Sequence, residues 1–302
     1  ATPNDGHYSD QWHLNQDNDH DIDAPEAWDI ERGNESVIIA IIDTGIDYTH
    51  EDLANKIWNN SDEIADNGVD DDNNGYIDDT RGWDFVNNDS NPMDDNDHGT
   101  HCAGIAAAEA NNSKGIAGVC WYCKLMPVKG LNSKGRGYAD DLANAIVYAA
   151  DNNATIISMS WGSSQSSNLI KDAVNYAYSK GIILIAAAGN GDTSEPQYPA
   201  AYENVIAVAA TRSDDKKAYF SNYGYWIDIA APGIDINSTL INNRYGEHSG
   251  TSMAAPMVAG LVGLIMSKNK SLTQDEIIAI VHSAIDMPNS SNYIGRGRIN
   301  LY

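Results

Sequence analysis

Five strand-length runs, apolar nearly throughout, decide what this chain can become: Val37–Ile42, Thr155–Met159, Ile182–Ala187, Val205–Ala209 and Ile227–Ala230. A strand with one face in water alternates apolar and polar residues. These runs do not, so each must be covered on both faces, as in a parallel sheet flanked by helices. Helical patterns separate them. Asp140–Asp151 puts Leu142, Ala145, Ile146 and Ala149 on one face; Asn168–Lys180 does the same with Leu169, Ala173, Val174 and Ala177. Thr273-Gln-Asp-Glu276 is a capping box that opens a helix to about Ser283. The alternation predicts an α/β chain, a three-layer α/β/α sandwich around a mostly parallel central sheet. No internal repeat and no Pro- or Gly-rich linker divides the 302 residues. A single domain is therefore expected over 1–302, with an N-terminal arm at 1–35 and a polar Asp/Asn-rich insertion at 59–80.

The net charge of −25 is unevenly placed. Residues 1–97 carry 27 of the 43 acidic residues and only three basic ones, Arg32, Lys56 and Arg81. The acids are 33 Asp and 10 Glu. Salt-bridged helices favour Glu, whereas the short Asp carboxylate suits turns, caps and calcium loops. Nucleic acid is excluded as a partner, because phosphate binding needs Lys and Arg clusters. No apolar run reaches the ~18 residues of a membrane-spanning helix, so no membrane partner is expected.

Three segments carry chemistry. Ile41-Ile42-Asp43-Thr44-Gly45 runs a buried strand into an acid and a Gly turn. In α/β sheets, active sites lie beyond the carboxyl ends of strands. Asp43 alone reads equally well as a turn cap. An aspartic protease needs a second Asp-Thr/Ser-Gly, and the chain has none. Asp97-His98-Gly99-Thr100-His101-Cys102-Ala103-Gly104 offers a base in His98, without the His-Glu-x-x-His or Cys/His spacing of a zinc site. Ser249-Gly250-Thr251-Ser252-Met253-Ala254-Ala255-Pro256 is a small-residue turn feeding an apolar helix. Ser252 then stands at a helix N-terminus, where the dipole and free N–H groups favour a developing anion. A plain N-cap serine is the simpler reading of that position taken alone.

With these motifs in the order Asp, His, Ser, the chain resembles the subtilisin-like serine proteases, or subtilases, over essentially its whole length. Thr2-Pro-Asn-Asp5, Ala24-Pro-Glu-Ala-Trp-Asp29, Trp83-Asp-Phe-Val86 and Asn111-Asn-Ser-Lys-Gly-Ile-Ala-Gly118 are similar to the thermitase-like branch. The resemblance implies roles. Ser252 is the nucleophile, His98 the base and later the acid, and Asp43 orients the imidazole. Asn190, ending a buried run at Gly189, donates to the oxyanion beside the Ser252 N–H. Substrate lies as an extra strand between Gly135-Arg136-Gly137 and Ser160-Trp161-Gly162. Ser160–Gly162 and Ala187-Ala188-Gly189 wall the first specificity pocket, whose narrowness suits an uncharged side chain; Asp192 at the rim would instead admit a basic one. A secreted monomer acting on polypeptides is implied, made with its own pro-segment as inhibitor and chaperone. The chain opens at Ala1 without a leader, as a mature form would.

Calcium needs six to eight oxygens. The resemblance implies a first Ca²⁺ site from the carboxylates of Asp5 and Asp52, the Asn112 amide oxygen and the carbonyls of Glu109, Lys114 and Ile116. It implies a second from Asp84, Asn87 and Asp89 with the Asn91 carbonyl. A third is readable from the residues themselves. Asp70, Asp72 and Asn74 stand at positions 1, 3 and 5 of an EF-hand-like loop, Gly75 at 6, Tyr76 at 7 and Ile77 at 8. Position 12 holds Arg81 instead of Glu, so Asp78 or Asp79 is expected to complete it. Two to three calcium ions would cancel up to six of the 25 negative charges. Asp17, Asp19, Asp21 and Asp23 are left without a role.

Cys120-Trp-Tyr-Cys123 precedes a strand, Lys124–Val128, and not the helix of a redox motif. A small structural disulfide is expected, with free thiols as the alternative. Cys102 reads as a buried apolar residue. Two other functions compete. A catalytically silent calcium-binding domain would have no need of an intact Asp43, His98, Ser252 and Asn190. An esterase would carry Gly-x-Ser-x-Gly around its nucleophile, which Ser252 lacks.

Overall fold

The computed structural model describes residues 1–286 and 294–302. In chain order its elements are α1 (Ala24–Ile30), β1 (Ile38–Asp43), β2 (Trp83–Asp84), α2 (His98–Ala107), β3 (Lys124–Lys129), α3 (Ala139–Asp151), β4 (Ile156–Met159), α4 (Asn168–Ser179), β5 (Ile183–Ala187), β6 (Val205–Thr211), β7 (Ile229–Pro232), β8 (Ile236–Leu240), β9 (Arg244–His248), α5 (Thr251–Lys268), α6 (Gln274–Ser283), β10 (Ile285–Asp286) and β11 (Arg298–Ile299). Nine strands form one sheet in the order β10-β11-β7-β6-β5-β4-β1-β3-β2, and β8 pairs with β9 as a separate hairpin. Among the described residues, only the β10–β11 pairing in the large sheet is antiparallel.

The unbroken apolar runs explain the layers. Within β1, Ile39 and Ile41 pack on one face beside residues of α2 and α5. Ala40 and Ile42, alternating with them, pack on the other beside residues of α3 and α4. Two cores therefore sandwich the sheet, as the sequence predicts. Cys120 and Cys123 are bonded, and the Thr273–Glu276 capping box is formed. One helical face is corrected. Leu169 is 57% exposed, and Ile170 is buried with Ala173, Val174 and Ala177. At about 100° per residue, Leu169 falls to the side of the stripe that Ile170 centres.

Three of the four unassigned acids of the N-terminal arm, Asp19, Asp21 and Asp23, lie around a buried cation and its partners. Arg298 bonds Asp215 Oδ1 at 2.7 Å, Asp286 Oδ2 at 3.3 Å and the Asp19 carbonyl at 3.1 Å. Asp21 holds the Gln16 and Asp23 amides at 2.6 and 2.8 Å. Asp23, in a left-handed conformation at φ +53°, accepts from Asn300 Nδ2 at 2.6 Å. Burial, then the charges of Asp21, Asp19 and Asp286, push its carboxyl up to about 6. A carboxyl raised on folding stabilises the fold fully below its unfolded pKa of about 3.9, and that contribution is lost as pH rises through about 6. Asp23→Asn keeps an oxygen for Asn300 and suits positive φ. Thermal denaturation is expected to show it more stable than the parent at pH 8, by about 1 kcal/mol after discounting for solvent screening. The difference should vanish near pH 4.

Candidate active site

Parallel strands deliver their carboxyl ends to one edge of the sheet, and the residues singled out above collect there. Asp43 closes β1. Ser160-Trp161-Gly162 follows β4, Ala188-Gly189-Asn190 follows β5, and Gly135-Arg136-Gly137 lies between β3 and α3. His98 begins α2, and Ser252 is the second residue of α5.

Asp43 is fully buried. Its Oδ1 accepts from the Thr44 amide at 2.7 Å and lies 2.7 Å from His98 Nδ1. Oδ2 is buried without a hydrogen-bond partner. The charge is thus left for the imidazole to answer. Burial alone would lower the His98 pKa; the charge and hydrogen bond of Asp43, helped by Asp94, outweigh it and raise the pKa above 6.5. With Nδ1–H facing Asp43, Nε2 is the free, basic nitrogen.

Pro256 shapes the other helix. Lacking an N–H, it cannot bond the carbonyl four residues back, that of Ser252. That carbonyl accepts instead from Ser160 Oγ at 2.9 Å and Cys102 Sγ at 3.3 Å. Cys102 lies on α2 with His98, its Sγ within 4.8 Å of the Asp43–His98 pair, so this bond ties the start of α5 to the helix that carries His98. Ser252 Oγ donates to the Ser160 carbonyl at 3.1 Å. As an early helical residue, Ser252 has an N–H with no intrahelical partner.

Asn190 is oriented by its neighbour. Its Oδ1 accepts from both the Thr251 amide and the Thr251 hydroxyl, each at 2.9 Å. Two donors on the oxygen leave the Nδ2 protons facing outward. A Cβ placed on Gly250 would lie 3.4 Å from Asn190 Nδ2 and 3.6 Å from Ser252 N, so the two donors flank one point.

The two expected substrate edges border one cavity of about 480 Å³, with Gly135, Arg136 and Gly137 on one side and Trp161 and Gly162 on the other. Trp161 is anchored through Nε1 to the Ile42 carbonyl at 2.9 Å. Ala187 and Ala188 are buried, and Gly189 has φ +98° with Asn222 Nδ2 only 2.6 Å from where a Cβ would stand. The wall there stays narrow. Asp192 is not a free carboxylate: Lys217 pairs with it at 2.7 Å.

The three acidic groups also assemble, with one change of membership. Asp5 and Asp52 are both buried. Burial, then the neighbouring Asp52 among lesser causes, raises the Asp5 pKa. Asn112 Nδ2 bonds Asp52 at 2.8 Å, the Glu109 amide bonds the Asp52 carbonyl at 2.8 Å, and the Lys114 and Ile116 amides bond Asn112 Oδ1 and Asp52 Oδ2 at 2.7 and 3.0 Å. In the second loop Asp84 is bonded by Asn87, and Asp89 by the Asn91 amide at 3.0 Å. In the third, Glu63 joins Asp70 and Asp72, the three offering oxygens within 4.8 Å of one another. Asp78 instead binds the Asn67 and Gly68 amides, and Asp79 is buried against Tyr148 Oη at 2.6 Å, Asn60 and Asn74. Neither takes the place of the missing Glu. Asn74 bonds Asp72 and Asp79 through Nδ2, and Tyr76 packs edge-on against Trp83, Phe85 and Tyr148, which pins the loop to the body. Glu63 precedes the loop, so a pattern read forward from Asp70 passes it by.

A model of the subtilase family matches residues 34–297. A thermophilic serine proteinase from Bacillus sp. strain AK1 is 44% identical over 301 residues, all of this chain and 68% of that protein. Thermitase from Thermoactinomyces vulgaris is 43% identical over 301 residues, covering 100% of this chain and 98% of its own. Among solved structures, a protease from Pseudoalteromonas arctica PAMC 21717 superposes with a TM-score of 0.84 at 32% identity, covering 100% of this chain and 98% of the other.

The electrostatics of the Asp–His pair make one prediction independent of any reaction. Followed by NMR, the His98 imidazole is expected to titrate above 6.5, and Asp43→Asn to bring the midpoint below that of the parent, because burial then acts unopposed by Asp43.

Proposed function

We propose, for a chain that belongs to the subtilase family and is a serine endopeptidase, that it is a secreted, calcium-stabilised, single-domain enzyme cleaving polypeptides through Asp43, His98 and Ser252. The observation that carries the mechanism is the 2.7 Å bond between buried Asp43 and His98, set beside the start of α5. Rotation about Cα–Cβ turns Ser252 Oγ from the Ser160 carbonyl to His98 Nε2. The hydroxyl then attacks the scissile carbonyl while His98 takes its proton. The tetrahedral oxyanion forms between Asn190 Nδ2 and the Ser252 N–H. Asp43 stabilises the imidazolium, which next protonates the leaving amine; water, deprotonated by His98, then releases the acyl group.

Substrate is held as a strand between 135–137 and 160–162. Asp192 being paired with Lys217 favours an apolar side chain over a basic one at the cleavage position. A library with Phe, Leu and Lys there should show Phe and Leu preferred; a strong Lys preference would overturn this. Asn190→Ala should lose about 10²–10³ in kcat with KM little changed, a range measured on a subtilisin. Phenylmethylsulfonyl fluoride should label Ser252, and no labelling in active buffer would favour a silent domain. Secretion and a removed inhibitory pro-segment rest on the family.

Calcium is proposed at the Asp5/Asp52/Asn112 group, where carbonyls of Glu109, Lys114 and Ile116 are within the same fold of chain. It is proposed also at Asp84, Asn87, Asp89 and Asn91, and at Glu63, Asp70 and Asp72. Buried like-charged carboxylates such as Asp5 and Asp52 fit a cation better than water. When bound, the ion would supply structural cross-links and take no part in the reaction. At free calcium a hundredfold above Kd, each site contributes about 2.7 kcal/mol. Calorimetry is expected to show a lower Tm after EDTA stripping, and a smaller drop in Glu63→Gln. An unchanged Tm on stripping would refute the calcium sites.

A further inference from the structure

Asp97 is a residue in the wrong conformation for its type. It stands at φ +92°, ψ −28°, where glycine is at ease and an L side chain is strained, and it immediately precedes His98. It is also the N-cap of α2, where an Asp ordinarily bonds its own helix. Asp97 makes no such bond. Its Oδ1 accepts instead from the Ile241 amide at 2.8 Å and from Arg244 Nη2 at 3.3 Å, across the β8–β9 hairpin.

That hairpin joins the two halves of the site. Its three-residue connection, Ile241 to Asn243, turns on Asn242 and Asn243 at φ +63° and +54°, a region that asparagine tolerates. Asn242 N is held by Asp47 at 2.8 Å, and Asn243 Oδ1 accepts from the Glu51 amide at 2.7 Å. Ser238 and Thr239 on β8 donate to the His101 and Thr100 carbonyls of α2, both at 2.8 Å. The His248 ring, at the end of β9, stacks on His101 at 4.3 Å and 10°. Four residues later comes Ser252. The chain carrying the nucleophile is thus laid on the helix carrying the base, and the Asp97 carboxylate ties the two at the residue next to His98.

We propose that Asp97 and Arg244 are positioning residues for His98. The hairpin holds Asp97 in its strained conformation, and this fixes the first turn of α2 and the direction of the imidazole relative to Ser252. The proposal rests on His98 being the catalytic base. His98→Ala tests that premise separately, and retained activity there would remove the premise, not the clamp alone.

The decisive variant is Asp97→Gly, which relieves the backbone strain while deleting the clamp. It is expected to keep or raise Tm and to lose on the order of ten- to a hundredfold in kcat, with KM little changed, as misplacement of a catalytic group by ångström distances does. Asp97→Asn retains an oxygen for the Ile241 amide and should recover most of the rate. Arg244→Ala should lose less than Asp97→Gly, and the double variant no more than Asp97→Gly alone, because both remove one tie. Wild-type kcat in Asp97→Gly would overturn the proposal. So would independent, multiplying losses in the double variant. Should Asp97→Gly not fold, Arg244→Ala and Asp97→Asn carry the test: a fall in Tm with kcat intact in both would make the contact merely structural.

Discussion

Everything at the active edge follows from burying a parallel sheet on both faces. Neither face of β1, β4 or β5 has room for a charged group, so polar chemistry is pushed to the strand ends. The carboxylate at that border, Asp43, is fully buried with one oxygen unpaired. An unpaired buried charge is costly, and the imidazole it bonds is the nearest group able to become a cation. The pairing that stabilises the fold is thus the same one that raises the His98 pKa. Ion-pair strength and basicity are one quantity here, and neither changes without the other.

The acidic charge of the first third of the chain meets two different surroundings. Around Arg298 a buried guanidinium answers it with protein groups, reaching Asp215 and Asp286 directly and the arm through the Asp19 carbonyl. In the groups at Asp5/Asp52 and at Glu63/Asp70/Asp72 no basic side chain among the described residues plays that part, and the carboxylates are held by amide donors and, at Asp52, the Tyr245 hydroxyl. Amide hydrogen bonds offset part of the desolvation of a carboxylate but none of its net charge. Arg298 answers part of the first cluster's charge, and the raised Asp23 carboxyl answers more by holding its proton; the second kind leaves room for a cation. This distinction gives the Asp21 and Asp23 carboxylates a part in closing the N-terminal arm and leaves the calcium proposal to the other groups.

How much was legible in the sequence depended on whether the signal was local. Unbroken apolar runs specify strands covered on both faces, so β1 and β3 to β7 lie where the pattern put them, within a few residues. Motifs at strand ends and helix starts single out Asp43, His98 and Ser252, and the family resemblance adds Asn190. Leu169 was misplaced because, in the first turn of a helix, one residue's difference in phase decides the buried face. Glu63 was missed because it enters its loop from before the motif. The β8–β9 hairpin was missed because its residues are half polar and its partners are distant. Its Asn242-Asn243 pair, flanked by short β-prone stretches, is the local turn signal that the sequence does hold there.

The two helix starts at the site show why backbone irregularity belongs there. A regular α-helix satisfies its own carbonyls and has nothing to offer its surroundings. In α5, Pro256 breaks that self-sufficiency at one point and frees the Ser252 carbonyl, which Ser160 and Cys102 then grip. The backbone of Ser252, the proposed nucleophile, is thereby fixed from outside its own helix, by the segment after β4 and by α2. In α2, Asp97 forgoes its capping bond, and its carboxylate is gripped by the hairpin instead. In both, a local hydrogen bond is absent and a distant segment holds the start of a helix that carries a residue of the proposed triad. A helix capped in the ordinary way would be more stable alone, but its first turn would answer only to itself. Placement relative to a second helix requires that some polar group at each start be left for another part of the chain to take.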